Sequence, residues 1–262
     1  MERVKTLIDK EWAEAFKNKM VLGTVIFLPI ILMIVPLVEM AVMRNIPVSE
    51  LKDVPPTINA VCQLQNFTPS ECMQSFLVNQ FLLLFLLIPL AVPVTMASYS
   101  IVGEKSTRSL EPLLATPTST TEIIVGKALA SVIPAIGATW LAFVIFLIGA
   151  RFFAASDRVY ALFLNPMWFV AMIVVAPLFT VFSVNVAIII SSRVNDPRAA
   201  EQIGMLVMLP LMAIFFGAIF GLIPLNTTTM LLLGGITLLA DVGLMAVGVK
   251  LFQRETILTQ WK

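Results

Sequence analysis

The chain has 262 residues and a net charge of +1; 59% of it is hydrophobic and 13% charged, with no histidine. A soluble domain averages roughly 25% charged residues, so this composition, with a mean hydropathy of +0.96, excludes a soluble globular protein and leaves no overall field for nucleic acid or an acidic partner. Without histidine the commonest general base and metal ligand are missing, and two cysteines lacking C-x-x-C spacing cannot form a cysteine zinc site.

The N-terminal segment 1–19, MERVKTLIDKEWAEAFKNK, spaces Val4, Ile8, Trp12 and Phe16 four apart. Leu7 and Ala15 lie beside them, and the other side of the helix they predict is charged. An amphipathic helix of this kind lies in the membrane interface, as an orientation anchor or as a mechanical element. The apolar stretch that follows is longer than the ~7–15 residues of a signal-peptide core, so a retained anchor is expected.

Six stretches are apolar enough to cross a ~30 Å hydrocarbon layer as helices, which takes roughly 20 residues each. They are predicted at 20–43, 76–98, 128–150, 166–191, 204–223 and 230–251. The fold class expected is all-α and membrane-integral, one transmembrane domain over 1–262. With the N-terminus inside, thirteen of the seventeen Lys and Arg residues fall on inner segments, and Arg44, Lys52, Arg151 and Arg158 fall outside. Positive charge is retained on the cytoplasmic side, so both termini and the 99–127 loop are expected there. The first outer loop carries Cys62 and Cys72, which in an oxidising compartment either bridge or stay as two thiols.

Within the spans, Asp241 lies near mid-bilayer. A carboxylate at that depth costs about 2.5–3.5 kcal/mol on an insertion scale and needs a polar partner. Asn185, Thr237 and Ser183 are the candidates, and the site reads either as a polar point on a translocation path or ion site, or as a packing hydrogen bond. Glu39 is expected at the outer rim. Gly217 and Gly221 form a G-x-x-x-G suited to close helix packing, within the chain or across a dimer. Every span but the last contains proline, which favours bends. The fourteen methionines read as space-filling residues, and no metal site is expected.

The inner stretch SIVGEKSTRSLEPLLATP contains GEKST, the tail of a phosphate-binding loop in appearance only. A true loop needs G-x-x-x-x-G-K-[ST], whose backbone N–H groups wrap the phosphate. Here Tyr99 and Glu104 stand where the two glycines belong, so nucleotide binding by this segment is not expected. Leu110, Leu113 and Leu114 instead fall on one side of a short helix suited to docking a partner.

IVGEKSTRSLEPLLATPTSTTEIIVGK resembles the segment between the second and third transmembrane helices of ABC type-2 exporter permeases. There G-E-K/R, T/S-L-E, L-L-x-T-P and a closing G-K recur. SSRVNDPRAAEQIG resembles that family's loop between helices four and five, and Arg108 departs from the pattern where many members have glycine. The resemblance implies the permease subunit of an ATP-driven exporter, working as a pair with a second copy of the permease in a homodimer. It implies a separate cytosolic ABC ATPase that carries ATP and Mg, and no cofactor on this chain. It places a coupling helix in the 99–127 loop, with Glu104, Lys105, Leu110, Glu111, Leu113 and Leu114 at the recurrent positions against the ATPase. The location implied is the plasma membrane. A membrane enzyme lacks any motif here; a self-contained ion- or proton-coupled carrier using Asp241 is the alternative, although inverted repeats are not clear.

Overall fold

The computed structural model describes residues 2–44, 66–106 and 120–251, and every regular element among them is helical. Helix α1 runs Glu2–Ala15, α2 Lys19–Arg44, α3 Pro69–Leu84, α4 Ile88–Ser106 and α5 Thr120–Phe153. They are followed by α6 Asp157–Phe163, α7 Pro166–Val170, α8 Ala176–Arg193, α9 Pro197–Gly204, α10 Leu209–Ile219 and α11 Thr227–Leu251. Six continuous stretches are long and apolar enough to span: Lys19–Arg44, Pro69–Glu104, Glu122–Phe153, Asp157–Arg193, Pro197–Ile219 and Thr227–Gly248.

Three helices start on a cap followed by proline. Thr68 accepts the Glu71 N–H while Glu71 reaches back to the Thr68 N–H at 2.8 Å, a closed capping box with Pro69 in the first turn. Asn165 caps α7 before Pro166, and Asp196 caps α9 before Pro197. Each side-chain oxygen satisfies an orphan donor, and proline fits where no intrahelical N–H is needed. The second span therefore begins at Pro69, seven residues before the predicted 76.

Seven further prolines within the spans divide into two groups. Pro29, Pro36, Pro93 and Pro134 lie inside unbroken α-helix. Pro89, Pro177 and Pro210 each follow a break in the ladder: 3₁₀ turns at Phe85–Leu87 and Met205–Met208, and a π turn at Ala171–Val175. A proline has no N–H and crowds the carbonyl one turn back, and in these three places the preceding turn rewinds. In the π turn the Met172 carbonyl, which would face the nitrogen of Pro177, accepts the Trp140 indole N–H at 2.7 Å.

The span Pro69–Glu104 is the axle of the bundle. Its most apolar stretch is 83% buried within the chain, against 17–44% for the other five. It packs against α2, α5, α8 and α9. Phe85 meets the rings of Phe143 and Phe146 edge-on at 6.4 and 5.6 Å, and Phe146 meets Phe163 at 5.7 Å. The outward faces of α2, α5 and α11 carry exposed residues such as Phe27, Leu141 and Leu239, as expected where lipid replaces water.

The predicted G-x-x-x-G is corrected. Helix α10 ends at Ile219, and Gly221 lies beyond it with φ +72°. Gly221 N–H donates to Ala218 O at 3.1 Å and Leu222 N–H to Gly217 O at 2.8 Å, the paired bonds of a Schellman stop. Gly217 is covered by Ile223, whose Cδ1 would lie 2.7 Å from an added Cβ. Two residues that do not share a helix cannot form one packing stripe, so the dimer-packing assignment loses its geometric basis.

Candidate functional site

The segment 107–119, with the resemblance to a coupling helix, joins α4 to α5 in the sequence and lies outside the described residues. Its two roots are tied together by charge. Lys127 on α5 stands 2.9 Å from Glu104 on α4 and 2.6 Å from Glu11 on α1, and Lys10 on α1 donates to the other Glu104 oxygen at 2.7 Å. Ser100 completes the cluster, receiving a hydrogen bond from Lys127 at 2.9 Å and donating to Glu11 at 2.5 Å. The side chains of Glu11, Glu104 and Lys127 are 5–6% exposed, while that of Lys10 is 40% exposed.

Two ammonium and two carboxylate groups cancel, which is the condition for holding charge away from water. Burial opposes the Lys10 ammonium, yet its hydrogen bond to Glu104 and the charges of Glu104, Glu14 and Glu11 outweigh that and hold its pKa above the ordinary 10.5. Such a cluster is fixed in register because each partner has one geometry that satisfies the others.

Around the ions, packing seats α1 closely. Trp12 donates its indole N–H to the Ala130 carbonyl at 2.8 Å. Gly126 gives the backbone room: a Cβ there would lie 2.5 Å from Leu7 Cδ2 and 3.3 Å from Leu7 Cβ. The closing Gly126-Lys127 pair thus serves α1, one residue by absence of a side chain and the next by charge. The predicted face of α1 is corrected accordingly. Glu11 is buried with Leu7, and Phe16, placed on the apolar side, lies past the helix end with 39% exposure.

The second inner segment joins α4 one turn higher. Thr95 donates to Glu201 on α9 at 2.8 Å, and Gly204 sits against Val94, whose Cγ1 would be 2.5 Å from an added Cβ. One helix, α4, therefore holds α1 and α5 through Ser100 and Glu104 and α9 through Thr95.

Of the residues singled out in sequence, Glu104 turns inward to its own chain. The side chain of Lys105 and all of Leu110, Glu111, Leu113 and Leu114 lie outside the described residues. Asn185 and Asp241 are brought together: Asn185 on α8 donates to Asp241 Oδ1 at 3.2 Å. Asp241 is 3% exposed and its Oδ2 has no hydrogen-bond partner among the described residues. Thr237 bonds back to the Leu233 carbonyl instead. Cys72 is buried and is not a free thiol; Cys62 lies outside the described residues. No cluster of three potential metal ligands occurs among the described residues.

Sequence reasoning missed Glu11, Lys127 and Ser100. The pair Glu11–Lys127 is separated by 116 positions, and no periodicity carries that information. A buried-charge signal was present, since Gly126-Lys127 stands at the mouth of an apolar span. Residues 5–254 match the model of a family described as ABC-2 family transporter protein. No curated protein matches the chain.

Proposed function

The chain belongs to the ABC-2 transporter family and is the membrane component of an ABC transporter; we propose that it exports substrate outward, driven by ATP hydrolysis on a separate cytosolic ATPase subunit. Two copies of this chain pair around the path, in the plasma membrane with both termini cytoplasmic. The segment 107–119 seats on the ATPase through Leu110, Leu113 and Leu114, with Lys105 and Glu111 at the rim. ATP and Mg reside on that partner.

One observation supports this reading above the others. The roots of the 107–119 segment are cross-braced by the Glu104–Lys127 ion pair and tied to α1 by Glu11 and Lys10. A force applied to an unbraced loop would be absorbed as local bending. Applied here, it moves α1, α4 and α5 as one body, because shifting any one of them alone separates buried charges. Glu104 works inside this joint rather than on the partner's surface. Such a body acts on helices whose ladders already rewind before Pro89, Pro177 and Pro210, where repacking disrupts few hydrogen bonds.

The test is co-purification of the tagged chain in mild detergent, with ATP hydrolysis assayed on the same sample. A near-stoichiometric ATPase subunit is expected with the parent chain and loss of it with Leu110→Asp plus Glu111→Lys. Association that survives those changes would sink the docking role of the segment.

A second reading has its own observation. Asp241 is buried, and one of its oxygens has no hydrogen-bond partner among the described residues, as an ion- or proton-coupled carrier would need. Under it, Asp241→Asn abolishes transport; full transport in that variant with unaltered pH dependence returns Asp241 to packing.

A further inference from the structure

At the end of the bundle away from the ion cluster, a cavity of about 480 Å³ opens between α3, the start of α7 and the α10–α11 connector. That size lies within the range of small-molecule sites, roughly 300–1,000 Å³. Its polar lining is Ser75, Asn79, Gln80, Asn165, Asn226 and Thr227, and none of its described lining residues is charged.

Two buried lining groups lack hydrogen-bond partners among the described residues. Gln80 is 8% exposed with Oε1 unbonded, and Trp168 is fully buried with its indole N–H unbonded. A glutamine on the same helix shows the contrast. Gln74, two turns earlier, donates to Met40 O at 3.0 Å and Phe153 O at 3.1 Å and accepts the Ala155 N–H at 2.7 Å. This helix can satisfy a buried amide fully, and at the cavity it does not. Buried polar groups are otherwise almost always paired, so an unpaired pair of them facing one cavity points to a ligand.

The remaining groups narrow its chemistry. Asn165 spends its amide oxygen on the Met167 N–H at 2.9 Å, and Asn226 spends its own on the Thr229 N–H at 2.8 Å. Both amides are thereby fixed with NH₂ as the group left to offer. Donors from Asn165, Asn226 and Trp168 call for acceptor oxygens, and Gln80 Oε1 calls for a hydroxyl. A phosphate or ammonium would be buried without a counter-charge. Phe76 and Leu162 supply an apolar wall, which suits an attached chain.

We propose that this cavity binds the uncharged, hydroxyl-rich headgroup of an amphiphile, seated between Gln80, Trp168 and the amides of Asn165 and Asn226. Binding belongs to this chain alone and stands apart from ATP coupling.

The experiment uses the full chain with Thr227→Cys at the cavity wall, in phosphatidylcholine nanodiscs, labelled by a membrane-impermeant maleimide over the background of the parent chain. The probes are dodecyl maltoside below its micellar concentration, maltose and dodecylphosphocholine. Dodecyl maltoside is expected to slow labelling at least about fivefold, and the other two at equal concentration to leave it unchanged. Adding Gln80→Leu or Trp168→Phe should raise the maltoside concentration needed about tenfold, the size of one lost hydrogen bond. No protection by maltoside would overturn the proposal, and the Thr227→Cys protein decides this even if the second substitutions fail to fold. Equal protection by maltose or by dodecylphosphocholine would also overturn it, as would protection unmoved by both substitutions.

Discussion

The two ends of the axle Pro69–Glu104 are fastened by different chemistry. Near Glu104 the fastening is ionic: two carboxylates and two ammonium groups from three helices, all buried except Lys10, which is 40% exposed. Near Pro69 it is mainly neutral: one amide, Gln74, satisfies two carbonyls and one N–H from α2 and the α5–α6 connection, and the buried Glu71 carboxylate meets the exposed Arg158 at the longer distance of 3.8 Å. The arginines at that end stay outside: Arg44 donates to the Phe152 carbonyl at 2.8 Å, and Arg151 pairs with Asp157 at 2.5 Å in the open. A neutral amide holds helices without needing charge balance, and losing it costs only its own bonds. An ionic joint is all-or-nothing, since removing one member leaves the others charged and buried. The end attached to the 107–119 segment has the all-or-nothing joint, which the lever proposed above requires.

The sharpest way to break this contrast is Lys127→Met. It strands Glu11 and leaves Glu104 with Lys10 alone, and a loss of about 3–5 kcal/mol is expected, read by reversible unfolding in mixed micelles. Replacing Glu11 and Glu104 by leucine in the same chain should recover most of that loss; equal destabilisation with and without the rescue would show that packing, rather than charge, fastens α1.

At the neutral end, Gln74→Leu is expected to cost about 2–3 kcal/mol in the same assay, from backbone groups left unpaired. A cost matching Lys127→Met would erase the distinction between the two ends.

How far the sequence led is visible in the same places. The six spans and their all-helical class were legible because hydropathy is local. The true start at Pro69 was hidden by the polar run PSECMQS, although Thr68-Pro69-Ser70-Glu71 carries the capping box in plain letters. The end of α10 was misplaced because Gly221 was read by spacing rather than as the left-handed stop it is. Glu11 was not singled out, although it stands four residues after Leu7 and seven after Val4 and so shares their side of the helix; only the fold brings Lys127 to it. Asp241 and Asn185 were both legible, because an intramembrane carboxylate needs a partner and few polar residues were available.

Smaller effects sharpen the comparison further. Trp12→Phe keeps the ring and loses one hydrogen bond to Ala130, so about 0.5–1.5 kcal/mol is expected. Asp157→Asn, in the open pair at the other end, should change stability by less than about 1 kcal/mol. A larger loss there would show that the exposed arginines share the fastening.

The smallest expected effect is a pH dependence. Because the folded-state pKa of Lys10 is raised above 10.5, its contribution is fully present below that value and is lost only as pH rises through the higher folded value. Parent and Lys10→Met chains should therefore differ by a constant amount across the neutral range and converge only in strong alkali. Convergence near neutrality would contradict the pairing with Glu104.

The central claim, that α1, α4 and α5 move as one body, is tested most directly by a distance between spin labels at Asp9→Cys on α1 and Ile133→Cys on α5, both exposed positions. It is measured in the complex with its ATPase, with and without ATP. A single narrow distance unchanged by nucleotide is expected for the parent joint, and a broadened one when Lys127→Met is added. A shift of α1 against α5 on ATP addition in the parent protein would contradict the claim.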